Sequence, residues 1–193
     1  MNTTQTTQVG QIERKTQNRV VALFRDRLGY EYLGNWEDRD DNSNLEESYL
    51  RPALSRAGYN ETIIDKAIDE IKKSINRSQM SLYELNKETY SMLRYGIKVR
   101  EGLGENYQTV WLIDWNKPEN NHFAIAEEVT IKGNRVKRPD IVLYVNGIAL
   151  GVIELKRSTV SVSEGIRQNI GNQKEAFIKT FFSTIQLVIA GND

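Results

Sequence analysis

The fold of this chain is decided by the stretch RPDIVLYVNGIALGVIELK, residues 138–156. Two apolar, β-prone segments flank Asn146-Gly147, the dipeptide that most strongly favours a two-residue hairpin turn. We therefore predict two adjacent antiparallel strands. Because side chains alternate along a strand, Glu154 and Lys156 share one face, about 6.6 Å apart along the chain. Asp140, at the far end of the partner strand, can then lie opposite them.

These three side chains are the ones that hydrolysis of a phosphodiester requires. Two carboxylates held close together bind Mg²⁺ through oxygen and leave coordination positions for water and phosphate. The Lys156 ammonium would stabilise the pentavalent transition state, or would help to deprotonate water if the site lowers its pKa. The pattern predicts a metal-dependent nuclease site with Asp140, Glu154 and Lys156 as catalytic residues.

The alternative is a strand end that carries a solvated acid and base, since short Glu-x-Lys strings are common. Two features favour the catalytic interpretation. Glu154 closes a run typical of a strand that is buried on both faces, where an unpaired carboxylate is costly and usually has a functional partner. Asp140 supplies the second acid across the predicted hairpin.

Composition sets the class of protein. The chain has 193 residues with 26 basic and 26 acidic side chains, so its formal net charge is zero and a nucleic-acid contact needs a local patch. The absence of cysteine excludes disulfides, thiol catalysis and cysteine-ligated metal centres. No stretch approaches the ~20 apolar residues of a membrane span, and the polar start lacks the features of a secretory signal. We predict a cytoplasmic protein.

The periodicity of apolar residues predicts helices before strands. We expect a polar, disordered N-terminus at residues 1–10 and one domain at 11–193. The expected helices are 11–28, 45–57, 61–75, 81–93 and 163–179. The expected strands are 30–33, 97–100, 109–114, 121–130, 140–145, 148–156 and 185–190. This order predicts an α/β (α+β) fold: a central mixed sheet flanked by helices, with a helical N-terminal layer. The last strand ends close to residue 193, as expected for one module of a longer polypeptide.

The Pro139-Asp140 … Glu154-x-Lys156 arrangement resembles the PD-(D/E)XK nuclease superfamily, which implies a restriction-endonuclease-like fold. Further strings resemble, in order, the N-terminal endonuclease domain of the restriction (motor) subunit of type I restriction-modification enzymes. They are Thr16-Gln17-Asn18-Arg19-Val20, Leu28-Gly29-Tyr30, Asn44-Leu45-Glu46, Ser81-Leu82-Tyr83, Leu112-Ile113-Asp114-Trp115, Asn120-Asn121-His122-Phe123 and Arg138-Pro139-Asp140-Ile141-Val142-Leu143. The resemblance covers nearly the whole chain.

The resemblance implies roles for residues of the site. Asp140 and Glu154 would be metal ligands, with the Leu155 carbonyl as an additional ligand and Lys156 as the catalytic lysine. The metal would be Mg²⁺, for which Mn²⁺ can substitute. The family also has a glutamine followed four residues later by a tyrosine on the next helix. Gln168 matches and is assigned to DNA positioning, whereas Asn172 stands in place of the tyrosine and receives no role.

The resemblance also implies partners. The substrate would be double-stranded DNA. In the family an ATP-driven translocase follows this domain, and methylation and specificity subunits complete the complex. The chain contains no Gly-x-x-x-x-Gly-Lys-Ser/Thr phosphate loop, so ATP binding would belong to the full-length subunit.

Other polar residues are candidates with a plainer alternative. A basic run before Asp140 would contact DNA phosphates or form only a solvated loop; its members are Lys132, Arg135, Lys137 and Arg138. Arg157, Arg167 and Lys174 are weaker candidates of this kind. Glu46 is a candidate extra acid for the metal, although we favour an interaction with the N-terminus of its own helix. Glu127 and Glu128 alternate faces of a strand, and we expect them at the surface.

The single histidine and the tryptophans have structural interpretations. His122 has no metal-ligating companion at a useful spacing, so we expect a structural role. Trp36, Trp111 and Trp115 are expected to be packing residues and not base-stacking platforms, because no basic surface is interleaved with them in the sequence.

Two other functions remain open at this point. The chain would be a catalytically inactive DNA-binding or assembly module that keeps a nuclease fold, or a stand-alone repair nuclease. Metal binding separates the first alternative from an active nuclease, and the sequence of the gene beyond residue 193 separates the second.

Overall fold

The computed structural model describes residues 14–156, 160–174 and 178–192. Its α-helices are α1 (14–22), α2 (Glu47–Arg56), α3 (Glu61–Ile75), α4 (Leu82–Tyr95) and α5 (Val162–Asn172), and α1 continues into a π-helical turn, Leu23–Arg27. Its strands are β1 (Glu31–Asn35), β2 (Ile97–Val99), β3 (Gln108–Val110), β4 (Phe123–Glu127), β5 (Ile131–Lys132), β6 (Val136–Lys137), β7 (Ile141–Val145), β8 (Ile148–Lys156) and β9 (Leu187–Asn192). The expected polar N-terminus, 1–10, lies outside the described residues.

A five-stranded mixed sheet forms the centre of the fold. Its strand order is β1-β4-β7-β8-β9. The pairs β4–β7 and β7–β8 are antiparallel, whereas β1 runs parallel to β4 and β9 runs parallel to β8. The predicted α/β class, with a central mixed sheet flanked by helices, is confirmed. Two small antiparallel sheets, β2–β3 and β5–β6, lie outside the central one.

The helices follow the local signals in the sequence. The predicted apolar stripe of α3 is fully buried, with Ile63, Ile64, Ala67, Ile68 and Ile71 at most 1% exposed. Burial of an aliphatic side chain of this size contributes about 1.5–3 kcal/mol, so this stripe fixes α3 against its neighbours. The α3 start is capped by the Asn60 side chain, and α4 begins with the predicted capping box of Ser81 and Glu84.

The sheet separates two apolar layers. On one face Val21 of α1 packs with Ile125, Ile141 and Ile153. On the other face the buried residues include Trp36, Val142, Tyr144, Val152 and the segment around Phe181 and Phe182. A third cluster, formed by α2, α3, α4, β2 and β3, covers the end of the sheet where β7 turns into β8.

The turn between β7 and β8 is the predicted hairpin. Asn146 and Gly147 have φ of 50° and 80°, the left-handed conformations of a type I′ turn. The Gly147 carbonyl accepts a hydrogen bond from the Glu46 amide at 2.7 Å. A Cβ atom on Gly147 would lie 2.9 Å from the Leu50 amide nitrogen, so the start of α2 leaves space only for glycine.

The pairing of β7 with β8 contains a bulge that the sequence analysis did not predict. Leu143 pairs with Gly151, but Tyr144 pairs with Ala149, so Leu150 is an extra residue in β8. Beyond the bulge Ile141 pairs with Ile153. Continuing that register by one residue sets Asp140 opposite Glu154.

Three predicted elements end at least three residues earlier than expected, and the first is the strand expected at 121–130, which ends at Glu127. The strand expected at 109–114 ends at Val110, because the next residues enter a loop tied down by asparagine side chains. The helix expected at 163–179 ends at Asn172, where the Lys174 amide closes a tighter turn on the Gly171 carbonyl at 3.1 Å. Residues 175–177 lie outside the described part of the chain. Among the described residues, no helix has the length and apolar composition needed to cross a bilayer.

Replacement of Gly147 by alanine should destabilise the fold more than the same change at another left-handed glycine. Gly29 has a similar φ of 73°, but a Cβ there would meet no atom within 4 Å. Gly29→Ala should therefore lower the free energy of unfolding only by what a left-handed alanine costs, about 1–2 kcal/mol. Gly147→Ala should lower it further by about 1–3 kcal/mol, because its methyl group overlaps α2. Urea unfolding of both variants measures the difference. Equal losses would show that α2 does not constrain the turn.

Candidate active site

The structure brings Asp140, Glu154 and Lys156 together at one end of the central sheet. Asp140 directly precedes β7, and its Oδ2 accepts a hydrogen bond from the Leu155 amide at 2.6 Å. The Lys156 ammonium donates to Oε1 of Glu154 at 3.0 Å. Because Asp140 and Glu154 occupy opposite positions on neighbouring strands, their side chains project from the same face. The three residues form the arrangement that the sequence predicts.

Burial gives this group its electrostatic character. The Glu154 side chain is 0% exposed and the Lys156 side chain 16% exposed. A carboxylate removed from water costs several kcal/mol unless a cation and hydrogen bonds compensate. Lys156 supplies a cation beside Glu154, and Asp140 adds a second, partly exposed acid. Such an arrangement at a strand end is typical of a functional site.

Helix α5 covers this group, and a glycine allows its close approach. A Cβ atom on Gly165 would lie 3.2 Å from Cβ of Ala190, 3.6 Å from Cγ of Lys156 and 3.7 Å from Cγ of Glu154. The backbone of α5 therefore rests directly on the aliphatic parts of the acid and the lysine. Water has little access to Glu154 from this side.

The predicted positioning residue Gln168 lies on this covering helix. It is half-buried and follows Gly165 by one helical turn. Asn172, which stands at the family's tyrosine position, is 2% exposed, and its Nδ2 has no hydrogen-bond partner among the described residues. The neighbouring Asn169 donates to the Ile189 carbonyl at 3.2 Å and so ties α5 to β9.

The oxygen donors of this group fit a hard divalent cation. Asp140 and Glu154 provide two carboxylates on one face, and the Leu155 carbonyl is the third candidate ligand. Mg²⁺ and Mn²⁺ accept such oxygen sets and keep their remaining positions for water and phosphate. Among the described residues, no cluster of three or more acidic, histidine or cysteine side chains is arranged to hold a metal ion. Within the part of the chain that the structure describes, the candidate carboxylate donors are therefore Asp140 and Glu154.

Glu46 does not join this group. It caps the start of α2 at the hairpin end of the sheet, where it accepts hydrogen bonds from Arg39 at 2.6 Å and from the Ser43 amide at 3.0 Å. Six residues of β8 separate that end from Glu154, a distance of roughly 20 Å. Glu46 is the N-cap residue of α2, but its side chain bonds to Arg39 and to the Ser43 amide and makes no hydrogen bond to the amides of its own helix.

The basic residues before Asp140 lie on the β5–β6 hairpin and on the segment that leads into β7, and all four have partners within the chain. Lys132 contacts Asp40 at 2.6 Å, and Arg138 contacts Glu128 at 2.9 Å and also Glu37. Ion pairs as exposed as that of Lys132 contribute little and can exchange partners. Arg135 and Lys137 lie on the same β5–β6 hairpin. Arg167 pairs with Glu164 on α5, Lys174 follows α5, and Arg157 lies outside the described residues.

His122 has the structural role expected from the sequence. Its ring stacks on Tyr49 at a centroid distance of 5.3 Å, and its Nε2 lies 2.6 Å from the Glu31 carboxylate. These contacts are at the hairpin end of the sheet and do not involve the acidic pair.

Sequence reasoning missed the role of Glu127, which was expected at the surface. Glu127 is 3% exposed and lies on the sheet face opposite to Glu154. It accepts hydrogen bonds from Arg14 at 2.6 Å, from Gln17 at 3.2 Å and from the Tyr32 hydroxyl at 2.8 Å. Burial and this last bond raise the pKa of Tyr32 to about 12.

The Glu127 network also contacts the backbone of Asp140, from the sheet face opposite to Glu154. The Gln17 amide that donates to Glu127 also lies 3.4 Å from the Asp140 carbonyl, which itself accepts from the Glu128 amide at 2.9 Å. Gln17 stands in the first of the strings that carry the family resemblance, and that string is the signal that would have found it. These hydrogen bonds connect α1 to the backbone of Asp140.

Comparison with known proteins identifies relatives of this chain. The family described as "Type I restriction enzyme R protein N terminus" matches residues 10–193. The chain is 32% identical over 114 residues to the Type I restriction enzyme HindI endonuclease subunit of Haemophilus influenzae, covering 55% of this chain and 10% of that protein. It is 28% identical over 178 residues to the Putative type I restriction enzyme MjaVIIIP endonuclease subunit of Methanocaldococcus jannaschii, covering 86% and 16%.

A relative from Escherichia coli, the Type I restriction enzyme EcoprrI endonuclease subunit, is 29% identical over 87 residues, which is 44% of this chain and 28% of that protein. The chain thus spans between 10% and 28% of the lengths of these three relatives. Because the family match extends over residues 10–193, this chain belongs to the family of N-terminal regions of type I restriction enzyme R proteins.

Proposed function

We propose that this chain is a Mg²⁺-dependent endonuclease domain that hydrolyses phosphodiester bonds of double-stranded DNA in a type I restriction system. The observation that carries the proposal is the convergence of Asp140, Glu154 and Lys156 on one face at the end of β7 and β8. Membership of the restriction-enzyme family agrees with this chemistry.

Each residue of the group has a defined task in this proposal. Asp140 and Glu154 would hold the metal ion, together with the Leu155 carbonyl. When bound, the ion neutralises charge on the phosphate and activates water. The amide of Leu155 orients the Asp140 carboxylate through its 2.6 Å hydrogen bond. This bond fixes the acid before substrate arrives, so less reorganisation is needed during the reaction.

Lys156 would act on the phosphate or on the attacking water. Its ammonium is held by Glu154 at 3.0 Å and is 16% exposed, so it keeps a route to solvent while its position is fixed. A fixed positive charge in a partly desolvated site stabilises the charge that develops on the phosphate. Gln168, on the covering helix, would position the DNA. The four basic residues before Asp140 would contact backbone phosphates by exchanging the partners that they have within the chain; they are Lys132, Arg135, Lys137 and Arg138.

The complete protein would have more parts than this chain. We propose that residues 11–193 are one endonuclease domain of a longer motor subunit that acts in the cytoplasm. ATP would be used by the translocase part of that subunit, and methylation and specificity subunits would complete the complex. The names of the relatives, which describe endonuclease subunits, and the short share of their length that this chain spans support this proposal.

Removal of either carboxylate should weaken metal binding. Calorimetric titration of the chain with Mn²⁺ is expected to give binding that falls at least about tenfold in Asp140→Asn and in Glu154→Gln, because each variant loses a charged ligand. The matched control is Glu70→Gln, which changes an exposed acid on α3 that pairs with Lys73. Equal affinity in Asp140→Asn and the unchanged chain would place the metal elsewhere. Absence of any binding would favour an inactive assembly module.

Removal of the lysine should slow cutting strongly and leave both metal-binding carboxylates in place. In a restriction complex that contains this chain, Lys156→Ala is expected to slow DNA cleavage by about 10²–10³-fold, as for loss of one transition-state donor. Lys156→Arg keeps a cation beside buried Glu154, so it tests cleavage in a protein whose fold is preserved. It should also cut slowly, because the guanidinium is planar and larger than an ammonium.

The control for the lysine variants is Lys73→Ala, which removes an exposed lysine of α3 and should cut at the normal rate. Normal cleavage by both Lys156 variants would contradict the assignment of Lys156 as a catalytic residue. Agarose-gel assays of plasmid linearisation measure the rates.

A further inference from the structure

A cleft of about 650 Å³ lies at the hairpin end of the sheet, away from the active-site group. We call it the tryptophan cleft and define it by four side chains on its walls: Trp111, Trp115, Arg56 and Arg94. Its volume falls in the range of about 300–1,000 Å³ that ligand sites occupy. The proposed hydrolysis uses none of these residues.

The loop that carries both tryptophans is held firmly. Leu112 and Ile113, between them, are 1% and 5% exposed. The Leu112 carbonyl accepts from the Asn146 side chain at 2.9 Å, and the Asp114 amide donates to the Asn121 side chain at 2.8 Å. Both asparagines are themselves buried and bonded to each other at 2.8 Å. The loop therefore presents its flanking side chains from a fixed base.

Both indole rings are about half exposed, and hydrogen bonds hold the backbone of Trp111 and the indole edge of Trp115 in place. Trp111 is 46% and Trp115 48% exposed, whereas Trp36 is 5% exposed. The Trp115 indole nitrogen donates to the Leu93 carbonyl at 2.7 Å, and the Trp111 amide donates to the Tyr59 hydroxyl at 2.9 Å. The expected packing role agrees with the burial of Trp36, whereas Trp111 and Trp115 leave about half of their surface open to solvent. Large aromatic surface left exposed in a cleft is typical of a binding site.

The charges that remain available in the cleft are positive. Arg56 and Arg94 make no ion pair within the described residues, unlike the paired cations near the active site. The Arg94 guanidinium lies 5.7 Å from the centre of the Trp115 ring. The one acid of the lining, Asp114, accepts from Asn120 at 2.7 Å and from the Lys117 amide at 2.9 Å, and these bonds lower its pKa. Its carboxylate is therefore occupied by its own loop.

We propose that the tryptophan cleft binds single-stranded DNA by stacking unpaired bases on Trp111 and Trp115 while Arg56 and Arg94 contact the flanking phosphates. Aromatic platforms interleaved with cations are the general means of binding single strands. Arginine also strengthens stacking through its contact with the ring. The choice of DNA as the nucleic acid rests on the proposed function, but the residues are different ones.

The position of the cleft suits a DNA-cutting domain. It lies roughly 20 Å from Glu154 along β8, which corresponds to about six base steps of duplex. An unpaired strand bound in the cleft would lie about six base steps from the scissile bond. The active-site group would meanwhile act on another part of the same DNA molecule.

Tryptophan fluorescence tests the proposal directly. The 193-residue chain is titrated with a thymidine oligomer of about 15 nucleotides at about 50 mM salt, with thymidine monophosphate in a parallel titration. Stacked bases should quench the fluorescence, and the monophosphate should bind much more weakly because it offers one base and one phosphate. Trp111→Ala and Trp115→Ala should each weaken oligomer binding about 5- to 150-fold, measured by anisotropy of a labelled oligomer.

Substitution of the two arginines tests the cleft without changing the loop that carries the tryptophans. Arg56→Ala and Arg94→Ala alter exposed side chains and should each reduce the slope of log affinity against log salt by about 0.7. The matched control is Tyr83→Ala, which removes an aromatic ring that is 74% exposed on α4 outside the cleft and should bind normally.

Three results would overturn the proposal. They are absence of quenching by the oligomer, a loss in Tyr83→Ala as large as in Trp115→Ala, or equally tight binding of the monophosphate, which would indicate a free-nucleotide site. If calorimetry detects no Mn²⁺ binding to the chain while the oligomer still quenches the tryptophan fluorescence, the proposed hydrolysis fails and the single-strand site stands.

Discussion

One extra residue in β8, Leu150, determines on which face of the sheet the second acid lies. If β7 and β8 paired from the same two-residue turn without a bulge, Asp140 would lie opposite Ile153 and Glu154 would project from the other face. With the bulge, the register beyond it pairs Ile141 with Ile153, and Asp140 meets Glu154. Bulges are often found beside active sites, where they redirect a side chain. Here the bulge makes a two-carboxylate site geometrically feasible.

The layers on the two faces then support the two acids differently. On the front, α5 rests on Glu154 and Lys156 through Gly165, so the acid is removed from water and needs the lysine as its counter-charge. On the back, α1 ties the strand that carries Asp140 through a buried network around Glu127. The front contact adjusts the electrostatics of the site and the back contact fixes its position. The geometry of the proposed metal site therefore depends on both layers of the fold.

Features set by local sequence were predictable. The bounds of α3 and β8 follow from an apolar period and from flanking turn residues, and the Asn146-Gly147 turn follows from the need for positive φ at two adjacent positions. The grouping of Asp140, Glu154 and Lys156 was also predicted, although a hairpin without a bulge would have placed Glu154 on the other face of the sheet. The bulge has no local signal of this kind, because it is set by how β8 pairs with its neighbours.

Features set by distant partners were not predictable. Glu127 is buried because Arg14, Gln17 and Tyr32, which are far away in sequence, bring donors to it. Trp111 and Trp115 flank a buried segment whose backbone is hydrogen-bonded to two asparagine side chains from later in the sequence, Asn121 and Asn146.

The central claim is that Asp140 and Glu154 hold one divalent ion between neighbouring strands. Anomalous diffraction from crystals of the chain soaked in Mn²⁺ tests it most directly. The account predicts a peak about 2.0–2.6 Å from oxygens of both carboxylates. A fully occupied peak that contacts neither side chain, or carboxylates that remain on opposite faces of the sheet in the experimental map, would contradict it.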